Sequence, residues 1–452
     1  MEIYRMKKSL FAVAALSAIA GAAQAQSSVT VYGILDVGYQ GSNAREVAAT
    51  ASGAVAQGTI NKIQKSAFGS GAEQTSRLGF KGTEDLGGGK SAFFTVEMGL
   101  IPTNPSLSGG TSRDTIQQNM NASGTGIDNR QSFVGIKQNG LGQFAVGRQY
   151  TPIFNAGAVT DPGQYNNVAG NVIYNSGSVY TADSFTSGTN NNVGFTNRAS
   201  NALTIDSDSF AGFKLHGMYA LSNQNATVGG GNYAVSSTGG NTNWNGWGLG
   251  ADYTWNKLFV TAAYQSFKTT YTNVIYSGST PGIMGFGAVT SAVLAGASGQ
   301  VLFNPTQTAD KQTYVGATYD FGILKAYAQW VGRKVNNDIT ATATGAGAAS
   351  FAGEQVNRTA QQLGVRSYIT PTIEAWGSVG SGRYKGNPVS AAISSGTINF
   401  VGWQLGSNYY LSKRTNLYAI YGQQQSTSTT AVNTAGSGNS ANQYALGLRH
   451  TF

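Results

Sequence analysis

Large apolar residues alternate with small or polar residues along most of the chain after residue 28. The C-terminal stretch Asn442–Phe452 shows the pattern well, because every second position holds a large residue. A period of two is that of a β-strand with one apolar and one polar face. Soluble edge strands rarely end on an apolar aromatic ring, whereas the last strand of a barrel pairs with the first and has no free edge. The chain end at Phe452 therefore predicts the closing strand of a β-barrel.

The same alternation predicts sixteen strands. A first strand, Val29–Tyr39, is followed by seven hairpins with short turns and then by the last strand. The arms of the hairpins are Ser76–Glu84 with Lys90–Leu100, Gln131–Lys137 with Gln143–Tyr150, Ala199–Asp206 with Phe213–Leu221, Trp247–Trp255 with Leu258–Phe267, Thr313–Tyr319 with Ile323–Val331, Gln361–Tyr368 with Ile373–Val379, and Phe400–Tyr410 with Asn416–Tyr421. An even strand number, with short turns on one side and long loops on the other, is typical of bacterial outer-membrane barrels.

Composition favours the same fold class. Only 10% of the residues are charged, whereas about 25% is usual in soluble domains, and the chain holds 62 glycines, 23 tyrosines and no cysteine. After the N-terminus no apolar run approaches the roughly 20 residues of a membrane helix. A soluble β-sandwich would not account for about 16 strands in one domain. We therefore predict an all-β, 16-stranded antiparallel transmembrane β-barrel with short periplasmic turns and long extracellular loops.

The N-terminus predicts a cleaved signal peptide. Three basic residues between positions 5 and 8 precede an apolar run from Leu10 to Ala20 and a small-residue cleavage site at Ala25. Residues 1–25 are therefore expected to be removed during export, which leaves 26–452 as an outer-membrane barrel domain. The start stays open between Met1 and Met6, because Met6 is itself followed by two lysines.

Three predicted loops are long: Gly41–Thr75, Thr151–Asn197 and Thr269–Lys311. Long loops in compact proteins are usually functional or disordered. The second loop has Asp161 and Asp183 as its only charged residues, together with three tyrosines. An acidic, aromatic loop beside basic strands is expected to fold against them.

Arg77, Arg130 and Arg198 supply the main hypothesis about function. Each follows Ser or Asn and opens a strand directly after a long loop, so the three lie at similar heights on alternate strands of one wall. Inward-pointing arginines would give an aqueous channel a fixed positive field. Parity places Arg77 and Arg198 on the polar face and leaves the face of Arg130 undecided. The alternative is that these arginines anchor strand ends among lipid headgroups.

A carboxylate is expected beside this cluster. If the turn of the first hairpin pairs Glu84 with Lys90, then Arg77 lies directly opposite Glu97.

Catalysis is not expected, because the two histidines, His216 and His450, lie on different strands and cysteine is absent. Lys and Arg occur singly rather than in runs, which argues against nucleic-acid binding. We expect no cofactor and no metal.

Four stretches resemble the general porins of Gram-negative β-proteobacteria: Ser28–Asp36, Ser76–Gly89, Phe133–Lys137 with Val146–Tyr150, and the terminal Phe452. The resemblance implies a sixteen-stranded barrel that forms homotrimers and whose third extracellular loop narrows the pore opposite a ladder of arginines. By position, Arg77, Arg130 and Arg198 match the ladder, Glu97 an acidic lining residue, and Thr151–Asn197 the constriction loop, with Asp161 and Asp183 as candidates for its acidic tip.

The resulting expectation is a passive, water-filled outer-membrane channel for small hydrophilic solutes and ions, with anions favoured. Its expected partners are two further copies of the chain, outer-membrane lipid and lipopolysaccharide, and the outer-membrane assembly machinery acting through Phe452. Two alternatives stay open, a substrate-specific channel and a barrel that acts mainly as a surface adhesin or receptor.

Overall fold

The computed structural model describes residues 28–47, 60–104, 107, 127–173, 198–226, 240–271, 274–276, 301–303, 306–338, 341–343, 350–351, 354–387, 396–429 and 437–452. These residues form an antiparallel barrel, one helix and a small separate sheet. The predicted signal peptide and Asp183 lie outside the described residues.

Strands account for most of the described chain. Their bounds are β1 Ser28–Val47, β2 Ile60–Ser70, β3 Arg77–Gly87, β4 Lys90–Gly99, β5 Asn129–Gln138, β6 Gly142–Tyr150, β7 Arg198–Ser207, β8 Phe213–Ala226, β9 Gly240–Trp255, β10 Leu258–Tyr271, β11 Val274–Tyr276, β12 Val301–Phe303, β13 Thr306–Asp320, β14 Lys325–Asp338, β15 Ala341–Ala343, β16 Ser350–Phe351, β17 Glu354–Thr370, β18 Ile373–Asn387, β19 Gly396–Tyr410, β20 Thr415–Thr429 and β21 Ser437–Thr451. A separate four-stranded sheet consists of β11, β12, β15 and β16.

The remaining seventeen strands form a closed barrel with sixteen wall positions. β2 and β3 share one position, because both pair with β1, β2 along its second half and β3 along its first. β21 also pairs with β1 and so closes the wall. At this seam Gly33 and Phe452 exchange two backbone hydrogen bonds of 3.1 Å. The prediction of a closed, sixteen-stranded antiparallel barrel is confirmed.

The two faces of the wall differ as the alternation predicts. The outward side chains of Val134, Leu249 and Leu405 are 60%, 58% and 58% exposed. On the inward face Gln404, next to Leu405 in the chain, is fully buried among lumen residues, and so is Gln265. Apolar side chains therefore cover the outside of the barrel, and the inside is lined by polar side chains together with buried apolar ones such as Val331, Phe400 and Ile420.

Two of the predicted long loops are partly strand. β1 and β2 pair with each other as far as Val47 and Ile60, well inside the stretch 41–75, and β10 pairs with β13 out to Tyr271 and Thr306, inside 269–311. The loop prediction is wrong there, because the ladder continues past the point where the outward residues stop being apolar. Backbone hydrogen bonds hold these extensions without any alternation.

The first hairpin has a different register from the predicted one. Asp85 Oδ1 accepts a hydrogen bond from Gly87 N at 2.9 Å, a bulge follows, and the chain reverses through residues 87–89, whose φ angles of 78°, 62° and 76° suit glycine. The observed pairs are Arg77 with Gly99, Gly79 with Glu97 and Glu84 with Ala92. The prediction that Arg77 lies directly opposite Glu97 is therefore wrong by two residues.

One helix, α1 Pro152–Thr160, follows β6 directly. Thr151 caps it, since its hydroxyl accepts a hydrogen bond from Phe154 N at 3.3 Å, and proline at the first helical position suits the start. Pro152 packs against Gly248 and Gly250 of β9, so α1 lies inside the barrel. Among the described residues, no helix is long and apolar enough to cross a membrane.

Candidate functional site

A β-bulge in β5 aims Arg130 into the lumen. Glu97 and Met98 of β4 pair with Gln131 and Asn129, which leaves Arg130 as the extra residue of β5. Bulges redirect side chains in this way. The Arg130 guanidinium donates through Nε to Glu97 Oε1 at 2.7 Å, and both side chains are only 4% exposed. The face of Arg130, which parity left open, is thus the inward one.

Tyr150 joins two of the three arginines. It pairs directly with Arg198 in the ladder between β6 and β7. Its hydroxyl accepts one hydrogen bond from an Arg130 NH2 group at 2.9 Å and another from an Arg198 NH2 group at 3.1 Å. The guanidinium carbon of Arg198 also lies 4.7 Å from the centroid of the Tyr150 ring, within cation–π range.

Arg77 completes the group at the start of β3. It donates through Nε to the carbonyl of Thr75 at 2.9 Å and interacts electrostatically with Glu97, Arg130 and Arg198. We call the side chains of Arg77, Glu97, Arg130 and Arg198 the arginine cluster. They come from β3, β4, β5 and β7, and three positive charges face a single carboxylate, so the cluster is a positive patch on the lumen wall.

The chain after α1 lies on the opposite side of the lumen. We call residues 161–173 the constriction segment. β5 and β17 occupy the fourth and twelfth of the sixteen wall positions, so they face each other across the barrel. From β17, Arg366 donates to the carbonyl of Pro162 at 2.7 Å, and Arg358 donates to the carbonyl of Val172. Two arginines of one strand therefore hold the two ends of the segment.

Four inward glutamines form a belt around this half of the wall: Gln329 of β14, Gln362 of β17, Gln404 of β19 and Gln443 of β21. Gln404 Nε2 donates to the Ala169 carbonyl, and Gln443 Oε1 accepts from Ala169 N, both at 2.9 Å. Glycine lets the segment approach the wall closely, since a β-carbon at Gly422 would collide with the Ala169 carbonyl oxygen. The constriction segment is therefore seated on β17–β21, not suspended in the lumen.

Asp161 is one of the residues that hold the constriction segment against this part of the wall. Its Oδ1 accepts hydrogen bonds from Asn171 at 2.8 Å and from Gln362 at 3.0 Å, and its Oδ2 accepts from Tyr165 N at 2.8 Å. The side chain is 2% exposed, and burial raises its pKa to about 6 although the hydrogen bonds and the charge of Arg366 favour the ionised form. The described contacts of Asp161 thus point to β17 and not to the arginine cluster.

An aromatic row connects the cluster to the constriction segment. The Tyr150 and Phe154 rings are stacked with centroids 3.8 Å apart and planes within 5°. Phe154 in turn lies 5.4 Å from the ring of Tyr165. Stacking of this kind fixes ring positions beyond what burial alone would do. The row thus has the arginine cluster at one end and the constriction segment at the other.

The sequence profile of the family described as Gram-negative porin matches residues 12–430. The chain belongs to this family. Among its relatives, an outer membrane porin protein of Bordetella pertussis is 27% identical over 463 aligned positions, which cover 99% of this chain and all of the relative. The major outer membrane protein P.IB of Neisseria gonorrhoeae is 32% identical over 216 positions, 48% of each chain.

Solved structures share the fold. The anion-selective porin from Comamonas acidovorans superimposes with a TM-score of 0.56 at 20% identity, over 94% of this chain and all of that one. OmpT of Vibrio cholerae in its trimer form gives a TM-score of 0.52 at 13% identity, over 94% and 99% of the two chains. This porin is accordingly a multi-pass protein of the outer membrane, and the family expected from its motifs is confirmed.

Below the cluster, a cavity of about 180 Å³ extends the porin's lumen from Tyr150 toward the short turns. His216 lies there between two carboxylates, Asp206 at 2.7 Å from Nδ1 and Asp252 at 3.0 Å from Nε2. The carboxylates sit on different ring nitrogens, so they do not converge on one ion with the imidazole. Within the described ranges, no group of three or more His, Asp or Glu side chains could hold a metal ion.

The structure brings together four of the six predicted site residues, Arg77, Arg130, Arg198 and Glu97. It places Asp161 among the contacts that hold the constriction segment against β17. Asp183 lies outside the described residues. Sequence reasoning missed Tyr150, which occurs in a run that carries the family resemblance but had no assigned chemistry. It also missed the glutamine belt. Glutamines at inward positions of several neighbouring strands were a usable signal. A glutamine side chain has donors and an acceptor that need hydrogen-bond partners when buried, so such a row indicates a backbone segment packed against it.

Proposed function

We propose that this porin is a passive diffusion channel whose constriction favours anions, and that no substrate is chemically converted. One observation supports the anion preference above others: three arginines from alternate wall strands converge on the lumen wall with one carboxylate among them. In a narrow channel with low-dielectric walls such a patch raises the local concentration of anions. The related Comamonas acidovorans structure is described as an anion-selective porin, in line with this proposal.

We propose further that the functional unit is a homotrimer embedded in outer-membrane lipid and lipopolysaccharide. The OmpT structure of Vibrio cholerae, which shares the fold, is described as a trimer form. Asp161 and Asp183 stay candidates for tuning selectivity from the constriction loop. Since the positive charge of Arg366 on β17 acts on Asp161, the field that Asp161 adds to the lumen is partly cancelled, whereas the arginine cluster keeps a net positive charge.

The test is the reversal potential of single channels in a planar bilayer under a potassium chloride gradient. We expect wild-type protein to show three-step openings and a potential of the sign given by chloride flux. In the variant Arg77→Ser/Arg130→Ser/Arg198→Ser the potential should fall to zero or change sign, because Glu97 then dominates the wall. A matched control, Lys257→Ser/Lys413→Ser/Arg414→Ser, removes equal charge from exposed turns and should keep the wild-type value. Equal effects in both triple variants would refute an arginine filter.

A further inference from the structure

The Tyr150 hydroxyl stands at the point where two guanidinium groups of the cluster converge. Arg130 and Arg198 each donate an N–H to it, at 2.9 and 3.1 Å. A phenol oxygen has two lone pairs and one proton, so these two bonds use its whole accepting capacity. The oxygen is therefore coordinated by two cations, in the manner of an oxygen atom of a small anion.

A permeating anion in the same place would be held far more strongly. Hydrogen bonds from guanidinium to a charged acceptor are about twice as strong as those to a neutral one, and two converging arginines would supply several. As a protonated phenol that is covalently attached, Tyr150 occupies these donors without cancelling the positive charge of the two arginines. The positive charge of the arginines still attracts anions, but some of their N–H donors are already hydrogen-bonded to the Tyr150 hydroxyl.

The phenol is well fixed in this place. The ring of Tyr150 is stacked on Phe154, with centroids 3.8 Å apart, and Phe154 lies in the first turn of α1, which Thr151 caps. Tyr150 also pairs with Arg198 in the barrel ladder. Moving the hydroxyl away from the arginines would break the ring stack, so the oxygen is a constant feature of the constriction.

Conduction requires that an ion bind well enough to enter and weakly enough to leave. We propose that Tyr150 is a specificity-determining residue, because its hydroxyl competes with permeating anions for the N–H donors of Arg130 and Arg198 and so shortens their stay at the constriction. This inference rests on the proposed anion preference. The ligand class concerned is small oxyanions and halides, and inorganic phosphate is a suitable probe.

The test is the variant Tyr150→Phe, which keeps the ring and its stack and removes only the oxygen. Inorganic phosphate added to wild-type channels should reduce the chloride current at some half-inhibitory concentration. In Tyr150→Phe that concentration should fall about two- to tenfold, the equivalent of one ordinary hydrogen bond regained. The potassium chloride concentration that gives half-maximal conductance should fall in the same direction.

Tyr410→Phe is the matched control. Its hydroxyl lies outside the arginine cluster and donates to Glu374 Oε2 at 2.8 Å instead of accepting from an arginine. Its removal should not tighten phosphate inhibition. Weaker inhibition in Tyr150→Phe would show that Tyr150 merely orients the arginines, and unchanged inhibition would show that it does not compete; either result overturns the proposal. Both are distinct from failure of the arginine filter, which the triple serine variant reports independently.

Discussion

We predict that pH acts on the constriction segment through Asp161. Burial raises the pKa of its carboxyl from 3.8 to about 6. Because this pKa lies above that of the released, solvated segment, the seated state is favoured most below about pH 4, and the advantage is lost as pH rises through about 6. The difference corresponds to at most about 3 kcal/mol. We therefore predict that the segment leaves its seat more often at neutral than at acidic pH.

The chain has no cysteine, so a single introduced thiol can report this opening. Val172→Cys places the thiol at a fully buried position of the segment, where a membrane-impermeant maleimide reaches it only after opening. Between about pH 5 and about pH 7.5 the labelling rate of Val172→Cys should rise more than that of Val172→Cys/Asp161→Asn. In the double variant the side chain at position 161 cannot ionise. The intrinsic pH dependence of the thiol is common to both variants. Identical pH profiles would contradict the prediction.

At the scale of elements, the glutamine and glycine positions of β17–β21 hold the constriction segment against the wall. Gly422 of β20 touches the backbone of Ala169, so Gly422→Ala should push the segment toward the arginine cluster and lower single-channel conductance. Gly438→Ala on β21 is the control, because the nearest atom to a β-carbon there is 3.9 Å away. Conductance that is unchanged or raised in Gly422→Ala would mean that the segment is not seated on β20.

The elements that the sequence predicts well are those whose two faces meet different solvents. Apolar and polar residues alternate along Phe400–Tyr410 because one face meets lipid and the other the lumen, and the strand is found there. The pattern fails in β1 beyond residue 41, where neither face is apolar although the ladder continues to Val47. It also fails for α1, whose nine residues are ordered by a cap and by packing on β9 rather than by a pattern of their own.

The arginines and their neighbour Glu97 were predictable, whereas the register that joins them and the role of Tyr150 were not. Their position after long loops marks Arg77, Arg130 and Arg198, since charged residues are scarce in this chain. The partner of Arg130 is determined by a bulge that shifts the register between β4 and β5. A shift of one residue changes which side chains face each other. Tyr150 is likewise one of 23 tyrosines, and only the pairing of β6 with β7 brings it to Arg198.

At the scale of the whole molecule, the two halves of the wall have different tasks. Strands β3 to β7 supply the charged patch, and strands β17 to β21 supply amides and glycines that bind the segment across from it. Such a division lets the width of the aperture and its charge vary independently. Substitutions in the arginine cluster should therefore change ion preference with little effect on the seat, and substitutions in the glutamine belt should do the reverse.

Phe452 lies at one end of the seam where β21 pairs with β1. Phe452 bonds to Gly33 through the backbone, its ring lies against the same glycine, and 39% of its surface is exposed. In Phe452→Ala the backbone bonds remain and only partly buried ring area is lost, so the free energy of unfolding in lipid vesicles should fall by about 1 kcal/mol. Leu446→Ala, at an outward position of the same strand with 56% exposure, should cost a similar amount.

Assembly in cells should separate these two variants. If the outer-membrane assembly machinery binds the terminal aromatic side chain, as the sequence predicts, folded Phe452→Ala protein should be scarcer in the outer membrane than folded Leu446→Ala protein, although both unfold with similar free energies in vesicles. Heat-resistant trimer on gels of outer-membrane fractions, normalised to synthesis, measures this. An equal yield of the two variants would limit Phe452 to packing on Gly33 and would remove the machinery from the list of its partners.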